Sequence, residues 1–137
     1  MFTASDLTNS LNNHSVSIRT ADFFNDIETS EEKWDAMESE VHDLDAFVAF
    51  VDTFESPTES TDLDEVLDRF QDAYAGTWNS ERDYVENGLE EGLFGEIDTD
   101  SLLGRYLDVA SLTRDLFMSD MTSVAAPGHE VHVSYNM

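Results

Sequence analysis

The chain has 137 residues, with 31 Asp and Glu against 6 Lys and Arg, which gives a formal net charge of −25. An ordinary soluble domain carries a net charge of roughly 2–8 in magnitude, so the excess either serves solvation or attracts a basic partner. The same charge repels nucleic acid and anionic membranes, which argues against direct binding to either. Because the chain has no Cys, disulfides and cysteine-ligated metals are excluded.

Despite this charge, the chain is predicted to fold. Hydrophobic residues make up 40% and include nine Phe, four Tyr and two Trp, which is too apolar for a disordered acidic tail. One domain or two small ones are expected at this length. No apolar run approaches the roughly 18 residues that span a bilayer, and a signal peptide is not evident, so we expect a protein of the host cytoplasm. The acids are concentrated, because residues 22–100 hold 26 of the 31.

The N-terminal segment is predicted to hold one helix and one short strand. Leu7 and Leu11 lie four residues apart and predict a helix over residues 3–13. Alternating polar and apolar residues predict a strand over residues 15–18. Thr20 is expected to cap a brief turn that follows this strand.

Two further helices are predicted before residue 56. Ser30 is expected to cap the first, because Glu31 and Glu32 follow it and suit the positive end of a helix dipole. Asp43 or His42 is expected to begin the second. Apolar side chains at helical spacing mark the inward faces: Trp34, Met37 and Val41 in the first helix, and Leu44, Phe47, Val48 and Val51 in the second.

A Pro-containing, hydroxyl-rich break at residues 56–61 separates these helices from the next one. That helix is expected to begin at Asp62 or Leu63 and to turn one apolar face inward, formed by Leu63, Val66, Leu67 and Phe70. Residues 74–78 are predicted to form a helix terminator and a tight turn, in which Gly76 takes a positive φ.

The rest of the chain is predicted to alternate short helices with a hairpin. Asn79 or Ser80 is expected to cap a helix whose Tyr84 and Leu89 point inward. The later elements are a loop at residues 92–95, two helices at 98–106 and 107–118, and a β-hairpin of strands 121–124 and 130–135 around Pro127. The fold class is therefore mainly α with minor β (α+β), with elongated acidic helical modules and a C-terminal β-hairpin.

The sequence contains no organised catalytic or metal-binding motif. Carboxylate pairs are so frequent that none stands out as a catalytic pair. Asp98 and Asp100 begin like a calcium loop, but Leu102 stands where a third ligand is needed. His129 and His132 would face opposite sides of a strand, so they do not form a zinc pair. We therefore expect neither enzymatic activity nor a metal or other cofactor.

The acids themselves are the strongest functional signal. On the two predicted helices of residues 62–91 they recur three to four residues apart, a separation of roughly 5–6 Å. This is comparable with the roughly 3.4 Å charge step along one DNA strand, so a protein that clamps duplex DNA through Lys and Arg would find a similar field. Adaptation to high salt explains the composition equally well. The acids predicted to contact a partner are Glu59, Asp62, Asp64, Glu65, Asp68, Asp72, Glu81, Asp83, Glu86, Glu90 and Glu91.

Four short segments resemble a known family. They are Arg69-Phe-Gln-Asp-Ala-Tyr-Ala-Gly76, Thr77-Trp-Asn-Ser-Glu-Arg-Asp-Tyr84, Tyr106-Leu-Asp108 and Leu112-Thr-Arg-Asp-Leu116. Together with the acidic helix before them and the closing hairpin, they resemble the ArdA antirestriction proteins of plasmids, conjugative transposons and phages. The resemblance covers residues 40–135.

The resemblance implies a non-enzymatic inhibitor that mimics DNA. In this family an elongated acidic protein occupies the DNA groove of type I restriction-modification enzymes and so protects incoming DNA. Two alternatives stay open: an anti-CRISPR protein that blocks DNA binding by a Cas effector, and a non-mimic acidic adaptor from a halophile. The residues that match the family signature are expected to determine the fold, and Arg114 to form an internal ion pair: Phe70, Tyr74, Gly76, Tyr106, Asp108, Arg114 and Asp115.

The chain departs from the family pattern in its N-terminal segment. Family members are usually longer, and their N-terminal sheet-containing module is not evident in residues 1–30. We therefore expect a shortened variant, with an N-terminal acidic helical region at residues 1–56 and an ArdA-like C-terminal module at residues 57–137. The nearly neutral C-terminal hairpin is a candidate homodimer surface.

Overall fold

The structure, a computed structural model, describes residues 2–92 and 108–136. These residues form seven α-helices and one three-stranded sheet, which confirms the predicted mainly α fold with minor β. The chain divides into two compact units, residues 1–74 and residues 75–136. The predicted boundary at residues 56/57 therefore lies inside the first unit, because the helix that follows it packs into the same core as the helices before it.

The first unit is helical throughout. Its elements are α1 (Ala4–Asn13), α2 (Ile18–Glu28), α3 (Glu31–Glu40), α4 (Leu44–Phe50), a π-helical turn (Val51–Glu55) and α5 (Leu63–Ala73). Each α-helix begins after a polar side chain that accepts a hydrogen bond from a backbone N–H of the first turn, which satisfies a donor that the helix itself cannot. These N-caps are Thr3, Ser17, Ser30, Asp43 and Asp62.

Aromatic side chains form the centre of the first core. Phe47 lies edge-on to Phe24 and to Phe70, with ring centroids 5.6 and 5.1 Å apart. Phe50 also contacts Phe70, at 5.4 Å. Such edge-to-face pairs stabilise a core beyond the area that they bury. The predicted inward residues Met37, Val41, Leu44, Phe47, Val48, Val51, Leu63, Val66, Leu67 and Phe70 are all buried here.

The strand predicted at residues 15–18 is wrong. Ser17 instead caps α2, because its hydroxyl accepts the N–H of Thr20 at 3.3 Å. Asp52 also stabilises the start of α2. Its carboxylate accepts hydrogen bonds from the backbone N–H of Ser17 at 3.0 Å and from the hydroxyl of Thr20 at 2.9 Å. Thr20 is therefore a buried helical residue rather than a cap.

In its described residues, the second unit combines two helices with the sheet. Its elements are β1 (Tyr74–Trp78), α6 (Glu81–Glu90), α7 (Val109–Ser119), β2 (Met121–Ala125), a 3₁₀ turn (Pro127–His129) and β3 (Val131–Tyr135). The strand order is β1-β3-β2. Strands β2 and β3 pair antiparallel, from Met121 opposite Tyr135 to Ala125 opposite Val131, which confirms the predicted hairpin. Among the described residues, the buried core contains Tyr84, Val85, Leu89, Met121 and Val133.

The predicted turn at residues 74–78 is wrong, because this segment is strand β1. The positive φ expected at Gly76 is confirmed, at +107°. The indole of Trp78 donates to the carbonyl of Ala75 at 3.0 Å and covers Gly76. The predicted helix at 107–118 corresponds to α7. The predicted helix at 98–106 and residues 93–95 of the predicted loop lie outside the described residues.

Candidate functional site

The outer face of α5 is the most regular acidic surface of the first unit. Asp64, Glu65, Asp68 and Asp72 are exposed, while the apolar side chains that alternate with them are buried. Residues three and four apart on a helix lie on one face about 5–6 Å from one another. Helix α5 therefore presents a row of carboxylates on a rigid, core-anchored element. We refer to these four side chains as the α5 face.

Two predicted acids that precede this face have local environments of their own. Asp62 is exposed, and its carboxylate caps α5 by accepting the N–H of Asp64 at 3.1 Å. Glu59 lies in the turn before the helix and lines a pocket of about 550 Å³ together with Arg19 and Lys33. Both carboxylates therefore differ from those of the α5 face: Asp62 accepts a capping hydrogen bond, and Glu59 shares a pocket with two basic residues.

Arg69, the one base of α5, is held by a carboxylate that sequence reasoning missed. Its guanidinium donates to Glu55 in bidentate fashion, with Nε to Oε2 at 2.9 Å and Nη2 to Oε1 at 2.6 Å. These hydrogen bonds to Glu55 raise the pKa of Arg69. No local signal identifies Glu55, because it lies 14 residues before Arg69. Nη1 of Arg69 also lies 4.0 Å from Oε2 of Glu65 on the α5 face. The other three acids of the face, Asp64, Asp68 and Asp72, form no ion pair with a described residue.

The acids of α6 are less uniform than predicted. Glu81 is half-buried and accepts a hydrogen bond from the hydroxyl of Ser123. Asp83 is half-buried, although its predicted contact with a partner requires an exposed carboxylate. Glu86 is exposed and pairs with Arg82 one turn away, at 2.8 Å. The other two predicted acids, Glu90 and Glu91, are exposed at the end of the helix.

Acids also occupy helix ends where they do not help the helix. None of the seven described helices carries a basic residue in its last turn. The last turns instead contain Glu40 in α3, Asp72 in α5 and Glu90 in α6. A carboxylate beside the negative end of a helix dipole costs about 0.3–1 kcal/mol at low ionic strength. Helix stability therefore does not account for these acids.

Comparison with known protein families decides the assignment. The family model of the antirestriction protein ArdA matches residues 6–131 of the chain. The chain belongs to the ArdA antirestriction protein family. The match also includes residues 6–39, which the sequence resemblance left out. No curated protein and no solved structure matches the chain.

Several residues of the ArdA signature have structural roles. Phe70 is buried and stacks on Tyr74, with ring centroids 4.9 Å apart. Asp108 caps α7 by accepting the N–H and the hydroxyl of Ser111, at 3.1 and 2.8 Å. These hydrogen bonds from Ser111 lower the pKa of Asp108. The contacts of Phe70, Tyr74 and Asp108 support the expectation that these signature residues determine the fold. Tyr106 lies outside the described residues.

Arg114 forms no internal ion pair with a described residue, and acids within residues 93–107 lie outside the described part of the chain. Arg114 is exposed on α7, and its guanidinium lies 3.5 Å from the hydroxyl of Ser111 on the same helix. Within residues 2–92 and 108–136, no carboxylate lies within ion-pair distance of it. The adjacent Asp115 is also exposed. This part of the ArdA signature is therefore a surface feature of the second unit.

The two histidines of the hairpin differ in environment. His132 is buried, and its Nδ1 lies 2.7 Å from the hydroxyl of Thr77, whereas His129 is exposed in the 3₁₀ turn.

None of the described helices is both long enough and apolar enough to cross a membrane.

Proposed function

We propose that this ArdA-family chain is a non-enzymatic inhibitor that occupies the DNA-binding groove of a type I restriction-modification enzyme in the host cytoplasm. The observation that carries the proposal is the α5 face. From Asp64 to Asp72 the helix rises about 12 Å and carries four exposed carboxylates. Their successive axial steps of about 1.5, 4.5 and 6 Å lie on both sides of the roughly 3.4 Å between phosphates along one DNA strand.

The partner implied by this surface is a protein built to bind DNA. Such proteins neutralise phosphates with Lys and Arg, and both partners release counterions when they associate. The same charges that repel nucleic acid therefore attract a DNA-binding groove. Because an exposed ion pair contributes roughly 0–1 kcal/mol, binding must be distributed over many acids. No single carboxylate should be indispensable.

Neutralising the α5 face tests this proposal. The variant Asp64→Asn, Glu65→Gln, Asp68→Asn and Asp72→Asn removes four charges from one face while leaving the buried side chains in place. A matched control removes four acids that lie outside the acid-rich residues 22–100, through Asp6→Asn, Asp115→Asn, Asp120→Asn and Glu130→Gln. We expect the first variant to weaken inhibition of a type I enzyme by on the order of tenfold or more, because up to four ion pairs are lost. We expect the control to weaken it about threefold or less. Equal losses would mean that only net charge matters and would contradict a specific α5 interface.

A Cas effector is an alternative target of the same surface. It also reads duplex DNA through basic and polar contacts, so inhibition of a Cas effector but not of a type I enzyme would reassign the target while retaining mimicry.

Adaptation to high salt is the competing proposal from another class. It is favoured by the content of 17 Asp and one Lys. An acidic adaptor of this kind would unfold at low salt and refold in molar KCl, and it would not displace DNA from either enzyme.

A further inference from the structure

The corner between α2 and α3 contains an aromatic notch away from the predicted acids. Its volume is about 460 Å³, within the roughly 300–1,000 Å³ of small-ligand sites. All of its residues belong to the first unit. The notch is lined by Phe2, Thr3, Ala4, Glu28, Thr29, Glu31 and Trp34.

Two aromatic rings form its apolar walls. Phe2 and Trp34 are half-buried and pack against the core of the first unit. The indole Nε1 of Trp34 donates to Oε2 of Glu38 at 2.8 Å. Packing and this hydrogen bond hold the indole in one orientation, so the ring is in place before any ligand arrives.

Two carboxylates line the same notch, and the described residues supply no counter-ion to either. Glu28 is the last residue of α2, Glu31 is the first residue of α3, and both are exposed. No Lys, Arg or His is among the lining residues. Neither carboxylate takes part in an ion pair with another residue of the described chain. The 550 Å³ pocket differs, because its own bases Arg19 and Lys33 line it.

We propose that the notch binds a cationic side chain, and a guanidinium in preference to an ammonium. Trp is the strongest aromatic partner for a cation, and a planar guanidinium can stack on an indole while it donates to a carboxylate. Glu28 and Glu31 supply the charge that the aromatic walls lack. The notch's preference for a guanidinium is independent of the proposed function. The further claim that the guanidinium belongs to an arginine of the target enzyme rests on the proposed function.

The test is a titration of the whole protein with N-acetyl-arginine amide, followed by NMR of the two indole N–H groups. A Trp34→Phe variant assigns these signals. We expect a saturable shift of the Trp34 signal and little change at Trp78, which lies in the second unit. The neutral analogue N-acetyl-citrulline amide should give no saturable shift, because it has the same shape without the charge.

Paired variants separate a built site from the general negative field. Glu28→Gln with Glu31→Gln should weaken binding of the arginine probe at least about threefold, since up to two ion pairs are lost. Glu65→Gln with Asp72→Asn removes the same charge from α5, none of whose residues lines the notch, and should weaken binding by less than about 1.5-fold, because salt screens exposed charges that do not contact the ligand. Equal weakening by both pairs, saturable binding of the citrulline analogue, or no saturation at Trp34 would overturn the site.

The titration contains no restriction enzyme, so its failure leaves the proposed function untouched, and failed inhibition leaves the site untouched.

Discussion

Arg69 and Glu55 form a bidentate ion pair that joins α5 to the end of the π-helical turn. The shortest contact, Nη2 to Oε1, is 2.6 Å. The pair is asymmetric, because the carboxylate side chain is 7% exposed and the guanidinium 39%. A base in this acidic region thus serves the fold, and of the acids on the α5 face it contacts Glu65 alone among the described ion pairs, at 4.0 Å.

Removing the base should therefore destabilise the first unit. We expect Arg69→Gln to lower the free energy of unfolding by about 1–3 kcal/mol, because Glu55 would be left buried without its charged partner. Arg82→Gln is the matched control: its pair with Glu86 is exposed and one turn apart on a helix, so its loss should cost clearly less than the loss of Arg69. Urea denaturation measures both, and equal costs would contradict the structural role of Arg69.

Gly76 should tolerate no side chain. A Cβ at this position would lie 2.9 Å from the indole Nε1 of Trp78, at a φ of +107°. We expect Gly76→Ala to cost about 1–3 kcal/mol from backbone strain and displacement of the indole. Gly92 also has a positive φ, but a Cβ there meets nothing within 4 Å, so Gly92→Ala should cost about 1 kcal/mol or less. Thermal unfolding of the two variants measures both costs. A larger loss for Gly76→Ala shows that the contact with Trp78 adds to the cost of backbone strain, and equal losses would contradict it.

The N-cap of α7 should make stability depend on pH. Hydrogen bonds from Ser111 lower the pKa of Asp108 in the folded state. A carboxylate with a depressed folded pKa stabilises the fold above its unfolded pKa and loses that contribution as pH falls through the folded value. The stability difference between the protein and Asp108→Ala should therefore be largest near neutral pH and shrink in acid. Urea denaturation from pH 7 to pH 3 measures it, and a constant difference would show that the charge of Asp108 has no part.

Salt should stabilise the protein without being required for folding. The net charge of −25 repels itself, and the screening length falls from about 30 Å at 0.01 M salt to about 10 Å at 0.1 M. We expect the melting temperature to rise with salt while circular dichroism shows a folded helical protein at about 0.1 M. A chain that stays unfolded until molar KCl is added would instead favour adaptation to a saline cell.

Local chemistry accounts for the elements that the sequence predicts well. Ser30 and Asp43 each precede an apolar run of helical period, and each is the observed N-cap. The α5 helix follows the same rule after Asp62. Its exposed acids and buried apolar residues separate by periodicity alone, so the geometry of the α5 face was predictable.

The errors occur where distant residues decide the structure. The start of α2 depends on Asp52, which lies 35 residues after Ser17, so a four-residue alternation there was misleading. Strand β1 exists because it pairs with β3, far along the chain, and local turn signals around Gly76 could not reveal that pairing. The hydrogen bond between Glu81 and Ser123 spans 42 residues. Local periodicity therefore could not show that Glu81 is half-buried.

The most direct test of the central claim is competition for a type I restriction-modification enzyme. The enzyme, bound to labelled duplex DNA at about 0.1 M salt, is titrated with the folded protein, and the titration is repeated at rising salt. Our account predicts displacement of the DNA at near-stoichiometric protein, with the affinity of the protein for the enzyme falling as salt rises. If protein shown to be folded leaves the DNA bound throughout, the claim that it occupies the DNA-binding groove of such an enzyme is contradicted.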